Sequence, residues 1–171
     1  MGRSGTKWNA GRMSGVPYIN GELERMFLGQ YQHSLDEKGR LTIPAAFRYG
    51  LGEGAFVSQG FDRNLMVMSA GYFQTVYDRL NAMNIADPAT RLLRRMVLST
   101  AYQIEVDKAG RILLPPKSRQ FLSLGSEAML VGQGEYFEIW TPAEWELQVV
   151  KIQDTEANAQ RFAALDLSAG K

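Results

Sequence analysis

The sequence predicts an α+β chain, predominantly β, assembled from two copies of one small unit. Three observations carry this expectation. The stretch "LDEKGRLTIP" at 35–44 returns as "VDKAGRILLP" at 106–115. A shift of 71 residues lays Asp36 on Asp107, Gly39 on Gly110, Arg40 on Arg111 and Pro44 on Pro115. Each motif is flanked by short runs of strand character, and each copy ends on a helix start. A unit of about 70 residues exceeds the usual solenoid periods. Duplication inside a compact α+β or barrel-like core, with helices on one side, fits instead.

Residues 1–25 hold scattered glycine and serine with no clear period, which predicts a flexible leader. Met26 then opens "MFLGQY", and the natural start is expected there, with the leader an addition or the product of an upstream start codon. The first repeat is assigned to 26–83. It reads as a strand ("MFLGQYQHSL"), a turn ("DEKGR"), a second strand ("LTI") and a proline-opened helical turn. An apolar strand, a turn at Gln59-Gly60, another strand and a helix starting at Ser69 follow. Spacing of i, i+3, i+4, i+7 puts Phe73, Val76, Tyr77 and Leu80 on one face of that helix. In the connecting segment 84–100, Asp87 is placed to cap and Pro88 to open a helix with an apolar stripe of Leu92, Leu93 and Met96. Its Arg91, Arg94 and Arg95 read either as a solvated face or as a phosphate-facing group. The second repeat, 101–154, repeats the pattern from "AYQIEV" and turns at Gln133-Gly134. Thr141, Pro142 and Glu144 form the signature of a capping box, and Trp145, Val149 and Ile152 share a face. The tail 155–171 reads as a short helix with a frayed end.

Composition narrows the function classes. With 171 residues and 45% apolar content the chain can bury a core. It has no cysteine, which removes disulfides and cysteine-based zinc sites, and no apolar run long enough to cross a bilayer. A cytoplasmic protein without metal or cofactor is expected. Its 19 Lys and Arg against 18 Asp and Glu give +1, so any nucleic-acid partner must be met by local clustering. Four cations (Arg3, Lys7, Arg12, Arg25) and two acids (Glu22, Glu24) of the leader leave 26–171 at −1.

In "DEKGR", Gly39 can take positive φ and Asp36 can accept from amides two or three residues on, which makes a sound turn between strands. That explains the aspartate and the glycine. The arginine after the glycine in both copies has two readings. It pairs with the turn aspartate, Arg40 with Asp36 and Arg111 with Asp107, or it projects a rigid fork toward phosphates or the O6 and N7 edge of guanine.

The paired motifs and the "MFLGQY" opening closely resemble the MraZ family of bacterial transcription regulators linked to the division and cell-wall gene cluster. Each half of those proteins resembles the AbrB-type DNA-binding unit. The similarity runs from Met26 to about Ile152. It implies a double swapped-hairpin β-barrel from the two repeats, with helices packed after each. It also implies a ring-forming homo-oligomer on double-stranded promoter DNA with repeated boxes, nucleoid-associated and repressing its own operon. The family's D-x-K-G-R turn carries the DNA contacts, which here match Lys38, Arg40 and Arg111; Asp36, Gly39, Asp107 and Gly110 form the turns. The second copy departs from the pattern: Ala109 takes the place of Lys38, and Lys108, one position earlier, is the candidate cation.

The residues leave two rival classes. An enzyme would have to use His33, the only histidine, and the chain has no cysteine nucleophile. Asp36 and Glu37 are adjacent and point to opposite sides of an extended segment, which does not suit a carboxylate pair. "GLGEG" at 50–54 lacks the lysine of a phosphate-binding loop. No small-molecule substrate is expected. The other rival is an oligomeric interaction module or antitoxin-like scaffold, in which Phe73, Tyr77, Trp140 and Trp145 mark either subunit contacts or core packing.

Overall fold

The computed structural model describes residues 25–52 and 54–168. The expected leader therefore lies, but for Arg25, outside the described residues. In chain order the elements are β1 (Gln30–Ser34), β2 (Arg40–Thr42), α1 (Ala45–Leu51), β3 (Ala55–Gln59), β4 (Leu65–Ser69), α2 (Ala70–Ala82), α3 (Pro88–Leu98), β5 (Tyr102–Ile104), β6 (Arg111–Leu113), α4 (Pro116–Leu122), β7 (Glu127–Gly132), β8 (Tyr136–Trp140), α5 (Pro142–Gln153) and α6 (Thr155–Arg161).

The strands make a six-stranded antiparallel sheet in the order β1-β7-β8-β4-β3-β5 and a separate two-stranded ribbon, β2-β6. Exchanging the copies reverses the sheet order and leaves it unchanged. Pairing is chiefly between copies: β1 on β7, β5 on β3, β4 on β8 and β2 on β6, with β3-β4 and β7-β8 as the within-copy hairpins. The ribbon is centred on Leu41 opposite Ile112, which are equivalent positions 71 residues apart. The small drift of the repeat has a local cause. The β3-β4 loop is 60–64 and the β7-β8 loop only 133–135, and α4 is followed by a longer connection than α1.

The expected closed barrel is not formed by the ladders: β1 and β5 end the sheet, and the ribbon is joined to its neighbours through the single bridges Leu35–Leu41 and Val106–Ile112. The ribbon strands stay short because a left-handed glycine precedes each and a proline, lacking an N–H, soon follows.

One core serves both copies. Leu41, Ile43, Phe47 and Val67 of the first copy and Ile112, Leu114, Phe137 and Ile139 of the second are fully buried in it. Phe137 meets Phe27 at 5.2 Å and Phe47 at 4.9 Å between ring centroids, so the aromatic centre also mixes copies. At about 1.5–3 kcal/mol for each buried aliphatic or aromatic side chain, the shared core dominates stability and neither copy holds it alone.

Helix starts follow the local chemistry. Ser69 Oγ accepts from the Tyr72 amide (3.2 Å), Asp87 Oδ1 from Ala89 (2.9 Å) and Thr141 Oγ1 from Glu144 (3.2 Å). The Glu144 side chain makes no return hydrogen bond among the described residues, so the expected capping box is a one-sided cap. Asp154 caps α6 in the same way, through the Ala157 amide. The helix faces differ in part from expectation. On α2, Leu80 is buried and Phe73 stacks on Phe56, but Tyr77 is exposed. On α3, Val97 is buried and Leu92 is 67% exposed; on α5, Trp145 is buried and Ile152 is 61% exposed. A 3.6-residue period separates helix faces only coarsely, so these apolar positions near the stripe are left exposed. Trp140 and Trp145 are core residues, at 5.8 Å from each other.

The α3 arginines have a third use. Arg91 Nη1 donates to the carbonyls of Ile85 (3.0 Å) and Ala86 (3.1 Å), and Arg94 Nη1 donates to that of Leu80 (3.1 Å). They brace the α2-α3 connection, to which Ile85 and Ala86 belong, and tie it to the last turn of α2, where the Leu80 carbonyl also accepts from the Met83 amide (3.3 Å).

Candidate nucleic-acid interface

The two motif turns fold alike. In the first, Asp36 Oδ1 accepts from the amides of Lys38 (3.0 Å) and Arg40 (2.8 Å), the Gly39 amide donates to the Asp36 carbonyl (3.0 Å), and Arg40 Nε donates to Asp36 Oδ2 (2.6 Å). In the second, Asp107 Oδ1 accepts from Ala109 and Arg111 (both 2.9 Å), Gly110 donates to the Asp107 carbonyl (2.9 Å), and Arg111 Nε meets Asp107 Oδ2 at 3.1 Å. The glycines have φ of +85° and +77°, the left-handed region that glycine enters freely. Backbone donation from Arg40 holds the Asp36 carboxyl below its ordinary value, against the opposing effect of burial, and Arg111 does the same for Asp107.

Both aspartate–arginine pairs anticipated from the sequence are therefore made. An exposed pair of this kind adds little to stability; its effect is to orient the guanidinium. Each arginine spends Nε on its aspartate, and no hydrogen bond of the Arg40 or Arg111 Nη atoms is found among the described residues. Arg111 Nη1 does lie 3.9 Å from Asp36 Oδ2, so the copies' turns are close enough to share charge.

The turns sit at the two ends of the β2-β6 ribbon. Ile43 donates to the Gly110 carbonyl and Leu114 to that of Gly39, both at 2.9 Å, so each strand is tied to the opposite turn. Along the ribbon Arg40 faces Leu113, and Thr42 faces Arg111. Leu41 and Ile112 point into the core with no exposed surface, so the alternate residues Arg40, Thr42, Arg111 and Leu113 form the outer face.

Two further cations belong here that sequence reasoning did not single out. Arg119 of α4 lies over Gly39, and Arg48 of α1 over Gly110: a Cβ on either glycine would stand 2.6 Å or 2.2 Å from the guanidinium carbon. Arg48 Nε is anchored on the Ile43 carbonyl (2.9 Å) and Arg119 Nε on that of Leu114 (3.3 Å). Residues 48 and 119 are also 71 apart, so the repeat itself carried the signal. The two turns with these arginines bring together Lys38, Arg40, Arg48, Lys108, Arg111 and Arg119 against Asp36, Glu37 and Asp107, a local excess of cations in a chain of net charge +1.

The paired arrangement has counterparts. Residues 26–96 and 97–166 each match the family described as "MraZ protein, putative antitoxin-like". The chain belongs to the MraZ family. It is 42% identical over 142 residues to the Transcriptional regulator MraZ of Roseiflexus castenholzii, covering 82% of this chain and 99% of that one. To the protein of the same name from Herpetosiphon aurantiacus it is 43% identical over 129 residues, 75% and 90% of the two chains. To that from Leuconostoc mesenteroides it is 34% identical over 143 residues, 83% and 100%. MraZ membership thus spans both repeats. No helix among the described residues is long and apolar enough to cross a membrane.

Proposed function

We propose that this MraZ-family chain is a sequence-specific DNA-binding transcriptional regulator whose reading edge is the β2-β6 ribbon with its two turns. The observation that carries the reading is the pair of aspartate-oriented arginines on the outer face of one ribbon. A major groove about 12 Å wide admits a two-stranded ribbon, and an arginine fork with free Nη groups matches guanine O6 and N7. Lys38 and Lys108, exposed at the turns, supply phosphate contacts, and Arg40 and Arg111 lie roughly 7 Å apart along the ribbon, about two base steps. The names of the relatives support the regulatory class.

The finer reading follows the same line. The interleaved pairing supports a swapped-hairpin pseudo-dimer as the DNA-binding unit, with repeats at 26–83 and 101–154 joined by 84–100. One chain offers few phosphate contacts, so a ring of chains on repeated promoter boxes multiplies them through effective concentration. Exposed Leu147, Val150, Ile152, Phe162, Leu165 and Leu167 on and after α5 support such assembly. The target is double-stranded promoter DNA of the division and cell-wall cluster, with repression of its own operon.

Fluorescence anisotropy on a duplex from upstream of the gene, against a scrambled duplex across a salt series, tests this. A preference for the first duplex with a steep salt slope is expected. Equal and weak binding to both would leave the scaffold reading in its place.

A further inference from the structure

The outer face of the ribbon holds a residue that neither the core nor the charge arrangement requires. Leu113 is 57% exposed, at the end of the ribbon beside the first turn, directly across the ladder from Arg40. Its repeat counterpart is Thr42, across from Arg111. Directly opposed residues of an antiparallel pair place their Cβ atoms about 4.5–5.5 Å apart. Each arginine fork thus has a methyl-bearing side chain beside it, pointing out of the same face. Among base edges in the major groove, the thymine C5-methyl is the apolar group, and side-chain methyls recognise it by contact.

We propose that Leu113 is a specificity-determining residue that packs on a thymine methyl next to the base pair faced by Arg40. This rests on the reading of the ribbon as the DNA edge. A cytosine at that position loses the methyl and presents an amino donor that leucine cannot accept, so two effects favour thymine. Thr42 also brings a methyl, but its hydroxyl accepts and donates, so it tolerates more base edges. The chemical asymmetry of Thr42 and Leu113 on an otherwise symmetric ribbon means that the chain meets its box in one preferred orientation.

Deoxyuridine substitution isolates the contact, because it removes the methyl and keeps the base pair. Thymines of the upstream duplex are replaced one at a time and titrated with wild type, Leu113→Ala and Leu113→Thr, with the scrambled duplex alongside. At one position the wild type is expected to weaken roughly fourfold, the value of one buried carbon, while Leu113→Ala is indifferent there and keeps the wild-type salt slope. Leu113→Thr, which makes the ribbon positions alike, retains part of the sensitivity. A wild type that prefers the upstream duplex but feels no uracil, or a penalty unchanged in Leu113→Ala, overturns the methyl contact alone. A wild type with no preference between duplexes overturns the DNA reading itself.

Discussion

The turns at 36–40 and 107–111 differ little in backbone and much in side chains. Their aspartates accept from the arginine amide at 2.8 and 2.9 Å and from the residue two on at 3.0 and 2.9 Å. Yet the first presents Lys38 where the second has Ala109, and the second carries Lys108 where the first has Glu37. The hydrogen-bonded frame positions aspartate, glycine and arginine, and leaves the two intervening positions free to vary.

Removal of the forks is the most severe test of that comparison. Arg40→Ala and Arg111→Ala are each expected to weaken upstream-duplex binding roughly 10- to 100-fold, from a guanine contact worth about 1–3 kcal/mol. Equal losses by anisotropy would mean equivalent turns; a much larger loss for Arg40 would make the first copy dominant. Next come the glycines. Gly39→Ala and Gly110→Ala force a side chain into left-handed backbone, costing about 1–2 kcal/mol, and also push Arg119 or Arg48 aside. Urea unfolding should show both destabilised, chiefly through the left-handed backbone, since the guanidinium at each site ends a flexible side chain that can move aside. Lys38→Ala and Lys108→Ala are milder: each should make the log–log salt slope shallower by about 0.9 without altering the preference between duplexes. An unchanged slope in either variant would remove that lysine from the phosphate contacts.

The smallest effect is on pH. Asp36 and Asp107 are held below the ordinary value of 3.8, so their contribution is present above that value and is lost as pH falls through the depressed one. Amide NMR signals of Arg40 and Arg111 should stay fixed from pH 7 to 5 and move together only below 3.8. A shift of one turn's signals well before the other's would show that the frames are not equivalent.

Much of this was legible in the residues. The 71-residue offset, the strands around each motif, the caps at Ser69, Asp87 and Thr141 and the aspartate–arginine pairs all follow from local chemistry, which the chain carries in consecutive positions. Pairing is different in kind. Alternation marks Arg40–Thr42 as a strand but contains nothing that names Arg111–Leu113 as its partner; the closed barrel was an expectation from family resemblance, and the ladders form an open sheet with a separate ribbon instead. Arg48 and Arg119 share the 71-residue offset, but nothing in the consecutive residues shows that each lies against the other copy's glycine. The exposed Leu92 and Ile152 were assigned to buried faces because a periodicity argument treats every apolar residue near the stripe as part of it.

The connection between α2 and α3 runs through exposed Met83 and Ile85. A protease cut there would sever the chain and leave the ladders between its halves intact, so the fragments should elute together until denaturant is added. The peptide link therefore acts as a tether that sets local concentration, of millimolar order for short linkers. Its effect is on which partners meet. The two halves as separate chains would also form like-with-like pairs, whereas the tethered halves bring Thr42 and Leu113 onto the same ribbon.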